Sequence, residues 1–126
     1  TKLNLLKTDG PKSRINEENI TITEKGILIE INEPLFARFQ NTKSMLPTIN
    51  ADSKAIQISP NTQQDINVGD IISFELQEKI IIHRVVEIGE DEQGWYAITK
   101  GDNAIQPDKE KVRFKQIKRI LVAIIY

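Results

Sequence analysis

The sequence predicts a mainly β domain of short twisted strands. Short runs rich in β-branched residues recur along the 126 residues, and turn-forming Gly, Pro, Asn and Asp separate them. Stretches with helical periodicity and helix caps are scarce. The chain contains no internal repeat and no low-complexity tract. Together these patterns favour antiparallel strands joined by tight turns.

Two segments of different character are expected. Residues 1–19 are polar and interrupted by Asp9-Gly10-Pro11, which predicts a loose lead-in. Residues 20–126 are long enough to bury a core and are expected to form a single β domain.

The sequence predicts eight strands, most of them separated by short connections. The first two are separated by Glu24-Lys25-Gly26, which is typical of a hairpin turn. The predicted ranges are 19–23, 27–31, 35–40, 55–59, 71–77, 79–88, 95–100 and the end of 112–126. The ranges 71–77 and 79–88 are nearly continuous and predict a second hairpin. The apolar run at 120–125 is more economically a core strand than the start of a membrane helix.

Composition excludes several classes of function. The formal net charge is −1 and no basic stripe is interleaved with aromatic residues, so we expect no nucleic-acid partner. The absence of cysteine excludes disulfides and thiolate metal sites. With one histidine, only carboxylates remain to complete a zinc shell, so we expect no metal. No apolar run approaches the roughly 18 residues of a membrane span.

A serine with a fixed position is predicted in the segment Asn41-Thr42-Lys43-Ser44-Met45-Leu46-Pro47-Thr48-Ile49, which follows a predicted strand. Pro47 has a fixed φ and holds Leu46 in an extended conformation, which keeps Ser44 out of a regular helix or ladder. A hydroxyl held at a defined angle suits a nucleophile. The alternative is an ordinary turn serine, since most serines beside a proline lie in turns.

The single histidine lies in a predicted strand. Alternation with a period of two places His83 on the same face as Ile81 and Val85, partly shielded from water. A neutral imidazole in such a position suits a general base. The alternative is a half-buried histidine bonded to a backbone carbonyl.

Two carboxylates follow in the turn-forming segment 100–108. Asp102 and Asp108 lie six residues apart, and Gly101 gives the backbone freedom to turn. A carboxylate that accepts from the Nδ1–H of His83 would fix the tautomer and stabilise the imidazolium. The alternative is a turn stabilised by Asx side chains.

The order of these segments resembles a known family. Four stretches, at 44–48, 68–74, 82–86 and 99–103 with Asp108 beyond, look like the successive boxes of type I signal peptidases. The resemblance covers roughly residues 41–120. Bacterial-type members have a lysine base before the Arg-Val step, whereas this chain has His83. It is therefore similar to the archaeal and endoplasmic-reticulum branch, which uses serine, histidine and aspartate.

The resemblance implies a fold and an activity. The fold would be a mainly β catalytic core of coiled antiparallel sheets. The protein would be a serine endopeptidase that needs no cofactor and cleaves the signal peptides of preproteins after small residues. It would be anchored in the membrane with its catalytic domain on the extracytoplasmic face. The anchor would lie upstream of Thr1 or beyond Tyr126, which makes this chain a soluble fragment.

The resemblance also assigns the catalytic residues. Ser44 is the nucleophile, His83 the general base and Asp108 the carboxylate that orients the ring. Asp102 is assigned to stabilising the catalytic loop, with a place in the triad instead of Asp108 as the alternative, because distance along the chain does not show which carboxylate reaches the ring. The Ser44 N–H and the Thr42 hydroxyl are the expected oxyanion donors.

Other side chains near the site receive different expectations. Met45 and Leu46 are candidates for lining the substrate pockets, and a place in the core is an equal alternative. Asp70 and Arg84 are expected to form turns or ion pairs rather than to take part in chemistry.

Two alternative functions remain open. Lys43 stands where these enzymes usually have glycine, which favours a catalytically weak or silent β module that binds peptides or a partner subunit. A LexA-type self-cleaving peptidase shares the serine box, but it uses lysine in place of His83. It also cuts itself at an Ala-Gly or Cys-Gly bond, and this sequence contains neither dipeptide.

Overall fold

The computed structural model describes residues 9–39 and 43–126. These ranges form nine strands in two sheets, and each pairing is antiparallel. The helical segments within them are 3₁₀ turns of three residues. The predicted mainly β class with short antiparallel strands is therefore confirmed. No helix in the described part of the chain has the length and apolar character needed to cross a bilayer.

The first sheet is the predicted hairpin. Strands β1 (Ile20–Thr23) and β2 (Gly26–Ile29) pair with each other alone within the described residues. Every residue of both strands is exposed to solvent. This hairpin adds no side chain to the buried core.

The second sheet has seven strands in the order β3-β4-β9-β5-β6-β7-β8. Their bounds are β3 (Leu35–Arg38), β4 (Lys54–Ile58), β5 (Ile71–Leu76), β6 (Lys79–Asp91), β7 (Gly94–Lys100), β8 (Val112–Arg113) and β9 (Ile117–Ile125). The last strand, β9, lies in the middle of the sheet between β4 and β5. The apolar run at 120–125 is thus part of a central strand, as expected.

Both faces of this sheet carry a hydrophobic cluster. The first consists of Ile66, Ile72, Phe74, Val85, Ala97, Val112, Ile117 and Ile120. The second consists of Met45, Ile49, Ala55, Ile71 and Leu121. Consecutive residues of a strand point to opposite faces, so one strand supplies both clusters. The second cluster anchors the segment that carries Ser44, because Met45 and Ile49 belong to that segment.

The described part of the lead-in is docked rather than loose. The Arg14 guanidinium lies 2.5 Å from the Asp70 carboxylate, which is completely buried. Arg14 also donates to the backbone carbonyl of Asp65 at 2.6 Å. A third contact is a hydrogen bond of 3.4 Å from the Lys12 N–H to Asp70. Asp70 therefore forms an ion pair, which agrees with the structural role expected for it.

Candidate active site

Ser44 lies in a 3₁₀ turn, Lys43–Met45, on the surface of the domain. Met45 lies directly beneath it with no exposed surface, and Ile49 is equally buried. The Ile49 N–H donates to the Met45 carbonyl at 2.9 Å, which closes the segment over the second cluster. Burial of these two side chains fixes the turn and leaves the serine in contact with solvent.

His83 and Asp108 form a close pair. The Nδ1 atom of His83 lies 2.6 Å from Oδ2 of Asp108, and the imidazole is 15% exposed. The hydroxyl of Thr99, on β7, donates to the same carboxylate oxygen at 2.7 Å. The Asp108 N–H donates to the Thr99 carbonyl at 2.8 Å. Thr99 thus holds Asp108 from two sides and keeps its carboxylate directed at the ring.

The far side of the same ring approaches the serine at Gly101. A Cβ placed on Gly101 would lie 3.2 Å from Nε2 of His83 and 3.3 Å from Cβ of Ser44. Both side chains therefore border one small volume. The structure contains no direct hydrogen bond between Ser44 and His83 among the described residues. Catalytic hydrogen bonds are often long without substrate and tighten when it binds.

Asp102 has other partners than His83. It accepts two hydrogen bonds from Arg84, at 2.9 and 2.8 Å, and one from the Thr48 hydroxyl at 2.5 Å. Arg84 is 8% exposed and donates in addition to the Gly69 carbonyl at 2.8 Å. Asp102 thereby joins β6 to the serine segment. This arrangement agrees with a loop-stabilising role.

The surroundings of Asp102 favour its charged form. Burial acts to raise the pKa of the carboxyl, but the hydrogen bonds from Arg84 and Thr48 outweigh burial. The net result is a pKa below the ordinary value of 3.8. Asp102 is therefore the ionised half of an internal ion pair at neutral pH.

The loop after β7 holds the serine turn in place. The Asn103 N–H donates to the Ser44 carbonyl at 2.9 Å, and the Asn103 side-chain amide donates to the Lys43 carbonyl at 3.0 Å. The Asp102 N–H points at the sulfur of Met45 from 3.4 Å. These contacts position the Ser44 turn relative to the strand that carries His83.

The remaining predicted site residues lie in different surroundings. Met45 lies in the core, so the structure favours the core alternative for it and gives it no open pocket to line. Leu46 is half-buried. Thr42 falls outside the described residues. Lys43 is exposed next to Ser44.

Sequence analysis did not predict the roles that three residues have in the site. Thr99 belongs to a predicted strand, and alternation alone does not show that its hydroxyl faces a carboxylate 9 residues further on. Thr48 lies 54 residues from its partner Asp102. Gly101 was noted for its backbone freedom, whereas its main role is the space that it leaves between Ser44 and His83. The one local feature of the sequence that could have indicated any of these roles is the position of Gly101 directly before the acidic turn.

A cleft of about 470 Å³ opens between the strand that leads to Ser44 and the strand that carries His83. It is lined by Ala37, Arg38, Phe39, Gln57, Ser73, Ile80, Ile82, Lys118 and Arg119. Ile82 directly precedes His83 in β6, and Ala37 and Arg38 are the last residues of β3. The lining of this cleft does not include Ser44, His83 or Asp108, and Ile82 and His83, as consecutive residues of β6, point to opposite faces of the sheet.

No family model matches the chain, and neither the curated proteins nor the solved structures contain a match. Within residues 9–39 and 43–126, no three His, Cys, Asp or Glu side chains are grouped so that they could hold a metal ion.

Proposed function

We propose that this chain is the catalytic domain of a serine endopeptidase of the signal-peptidase type. Ser44 is the nucleophile, His83 the general base and Asp108 the residue that orients the base. The observation that carries this proposal is the arrangement around one imidazole ring. Its Nδ1 lies 2.6 Å from Asp108, and its Nε2 faces the volume that Ser44 also borders.

The proposed reaction begins with the tautomer of His83. The Asp108 carboxylate accepts the Nδ1–H, which leaves a lone pair on Nε2. The Ser44 proton moves to Nε2 as Oγ attacks the carbonyl carbon of the scissile bond. The imidazolium then protonates the departing amine, which gives an acyl-enzyme. Water, deprotonated by the same ring, attacks the acyl group and restores Ser44.

The oxyanion formed during attack requires hydrogen-bond donors. Ser44 lies in the opening of a 3₁₀ turn, where backbone N–H groups lack acceptors within the turn. Its N–H is the first proposed donor. The family resemblance supplies the Thr42 hydroxyl as the second. The loss of one such donor typically costs about 3 kcal/mol of transition-state stabilisation.

The substrate is proposed to bind as an extended peptide. Within the described residues β3 is an edge strand, because it pairs with β4 and with no other strand. A peptide can add to such an edge by main-chain hydrogen bonds while alternate side chains enter a cleft. The adjacent cleft has apolar surfaces from Ala37, Phe39 and Ile82.

The substrate class and the location rest on the resemblance in the four sequence stretches. The proposed substrates are preproteins with signal peptides, cut after a small residue. The proposed location is the extracytoplasmic face of a membrane, with the anchor in a segment outside this chain. The close pairing of His83 with Asp108 supports a serine-histidine-aspartate branch.

A peptide-binding module without catalysis is the second candidate, and the exposed Lys43 beside Ser44 favours it. Incubation with a synthetic peptide that contains an Ala-x-Ala site, in lipid vesicles, separates the two candidates. Mass spectrometry should find cleavage after the second alanine with the wild type and none with Ser44→Ala. Binding of the peptide without any product from the wild type would support the binding module instead.

A further inference from the structure

The cleft that extends from β3 to β6 has a cationic rim formed by Arg38, Lys118 and Arg119. Lys118 is 4.0 Å from the exposed carboxylate of Glu75, which is a weak surface pair. Neither Arg38 nor Arg119 has a carboxylate within 4.0 Å in the described part of the chain. Residues 1–8 and 40–42 contain no Asp or Glu, so they add no acidic side chain. The two arginines therefore give the cleft an uncompensated positive charge.

Two polar side chains, Gln57 and Ser73, are almost buried where they line the cleft. Gln57 is 7% exposed and Ser73 is 6% exposed. Neither side chain forms a hydrogen bond to another residue within 9–39 and 43–126, and both line the cleft. These two side chains are therefore available to a polar group that enters from the cleft.

Strand register places these features together. Ser73 on β5 is directly opposite Arg119 on β9 and Ile82 on β6. Directly opposite residues of antiparallel strands share a face of the sheet. The hydroxyl of Ser73, the guanidinium of Arg119 and the apolar side chain of Ile82 therefore lie next to one another on three adjacent strands. Ile80, two residues before Ile82, extends the apolar wall along the same face.

We propose that this cleft recognises an acidic side chain, Glu in preference to Asp, in the peptide that binds next to Ser44. The methylene groups of Glu would lie against Ile80 and Ile82, and its carboxylate would pair with Arg119 and Arg38. Gln57 and Ser73 would donate to the remaining carboxylate lone pairs. A neutral side chain at this position leaves both arginines without a counter-charge. The inference rests on the proposed function and narrows its substrate class.

Peptide binding tests this inference independently of catalysis. Fluorescent Ala-x-Ala peptides that carry Glu or Gln at one position at a time are titrated into the Ser44→Ala protein, and anisotropy is recorded. At one position Glu should bind about fivefold more tightly than Gln, as one partly exposed ion pair allows. The preference should shrink in 1 M NaCl, where the Debye length is about 3 Å.

Charge-removing variants locate the effect. Arg119→Gln should abolish the preference for Glu, and Arg38→Gln should weaken it. Arg38 is exposed, so that variant keeps the test valid if Arg119→Gln fails to fold. Lys115→Gln removes a charge from an exposed residue outside the cleft lining and should leave the preference unchanged.

Three results would overturn the inference. They are equal binding of Glu and Gln peptides at every position, a preference that survives both arginine substitutions, and binding to phosphatidylglycerol vesicles in place of the peptides. The last would assign the cationic rim to a lipid headgroup. A wild type that binds Glu peptides selectively but cuts none would contradict the proposed function and leave the specificity of the cleft intact.

Discussion

The carboxylate of Asp108 lies 2.6 Å from Nδ1 of His83, although 25 positions separate the two residues in the chain. Asp102, in the same loop, faces Arg84 instead, at 2.8 Å. One loop therefore supplies two carboxylates with different partners. We expect their substitutions to have different consequences.

Asp108→Asn should impair catalysis far more than folding. The amide no longer stabilises the imidazolium and favours the wrong tautomer, so kcat should fall by about 10³- to 10⁴-fold. Asp108 is 32% exposed, and the melting temperature should change little. Peptide turnover and thermal unfolding measure the two effects. A kcat within tenfold of the wild type would remove Asp108 from the catalytic group.

In contrast to Asp108→Asn, Arg84→Met should lower the free energy of unfolding. It leaves the Asp102 carboxylate buried without its charge partner, which typically costs about 3 kcal/mol or more. Urea unfolding measures the loss, and adding Asp102→Asn to Arg84→Met should recover part of it. Lys118→Met is the matched control, because its exposed pair with Glu75 should cost less than about 1 kcal/mol. Equal costs for Arg84→Met and Lys118→Met would contradict the internal ion pair.

The contribution of Asp102 to stability should depend on pH. Its pKa is lowered in the folded protein, so the folded state favours the ionised form. The contribution is complete above the ordinary value of 3.8 and is lost as pH falls through the lower, folded value. The difference in unfolding free energy between wild type and Asp102→Asn should therefore be constant near neutral pH and shrink in acid. A difference that grows in acid would have the wrong sign.

Gly101→Ala should reduce turnover without removing a catalytic group. The new Cβ would lie 2.7 Å from the Ser44 carbonyl oxygen, so the serine turn or the loop must move. A misplacement of about 1 Å can cost about 100-fold in rate. Gly10→Ala is the control, since a Cβ there meets no atom of the described residues within 4 Å. Turnover of Gly101→Ala equal to that of Gly10→Ala would show that Ser44 and His83 do not need this close approach.

The strands could be predicted from the sequence because their signals, β-branched residues and turn-forming residues, lie within the segments themselves. The hairpin at 71–76 and 79–91 follows from β-branched residues on both sides of a short turn. The prediction ended β6 at 88, whereas the strand continues to Asp91. Polar Glu90 and Asp91 hide this extension from a hydrophobic pattern, and their pairing with β7 supports it.

Contacts between distant segments were beyond local patterns. The insertion of β9 between β4 and β5 depends on pairings that span much of the chain. The docking of Arg14 on Asp70 joins residues 56 positions apart, so the polar lead-in resembled a loose segment. Which of Asp102 and Asp108 pairs with His83 likewise depends on the positions of Arg84 and Thr99, which bind the two carboxylates. Met45 is buried in a 3₁₀ turn, where strand alternation gives no guide to burial.

The most direct test of the central claim compares cleavage rates of three variants, Ser44→Ala, His83→Ala and the double substitution. If the two side chains act as one unit, each single variant should lose nearly as much kcat as the double. Circular dichroism of each variant verifies the fold. The account predicts three equal residual rates, all near background. A Ser44→Ala variant with near-wild-type turnover, or a double variant whose loss equals the product of two independent losses, would contradict it.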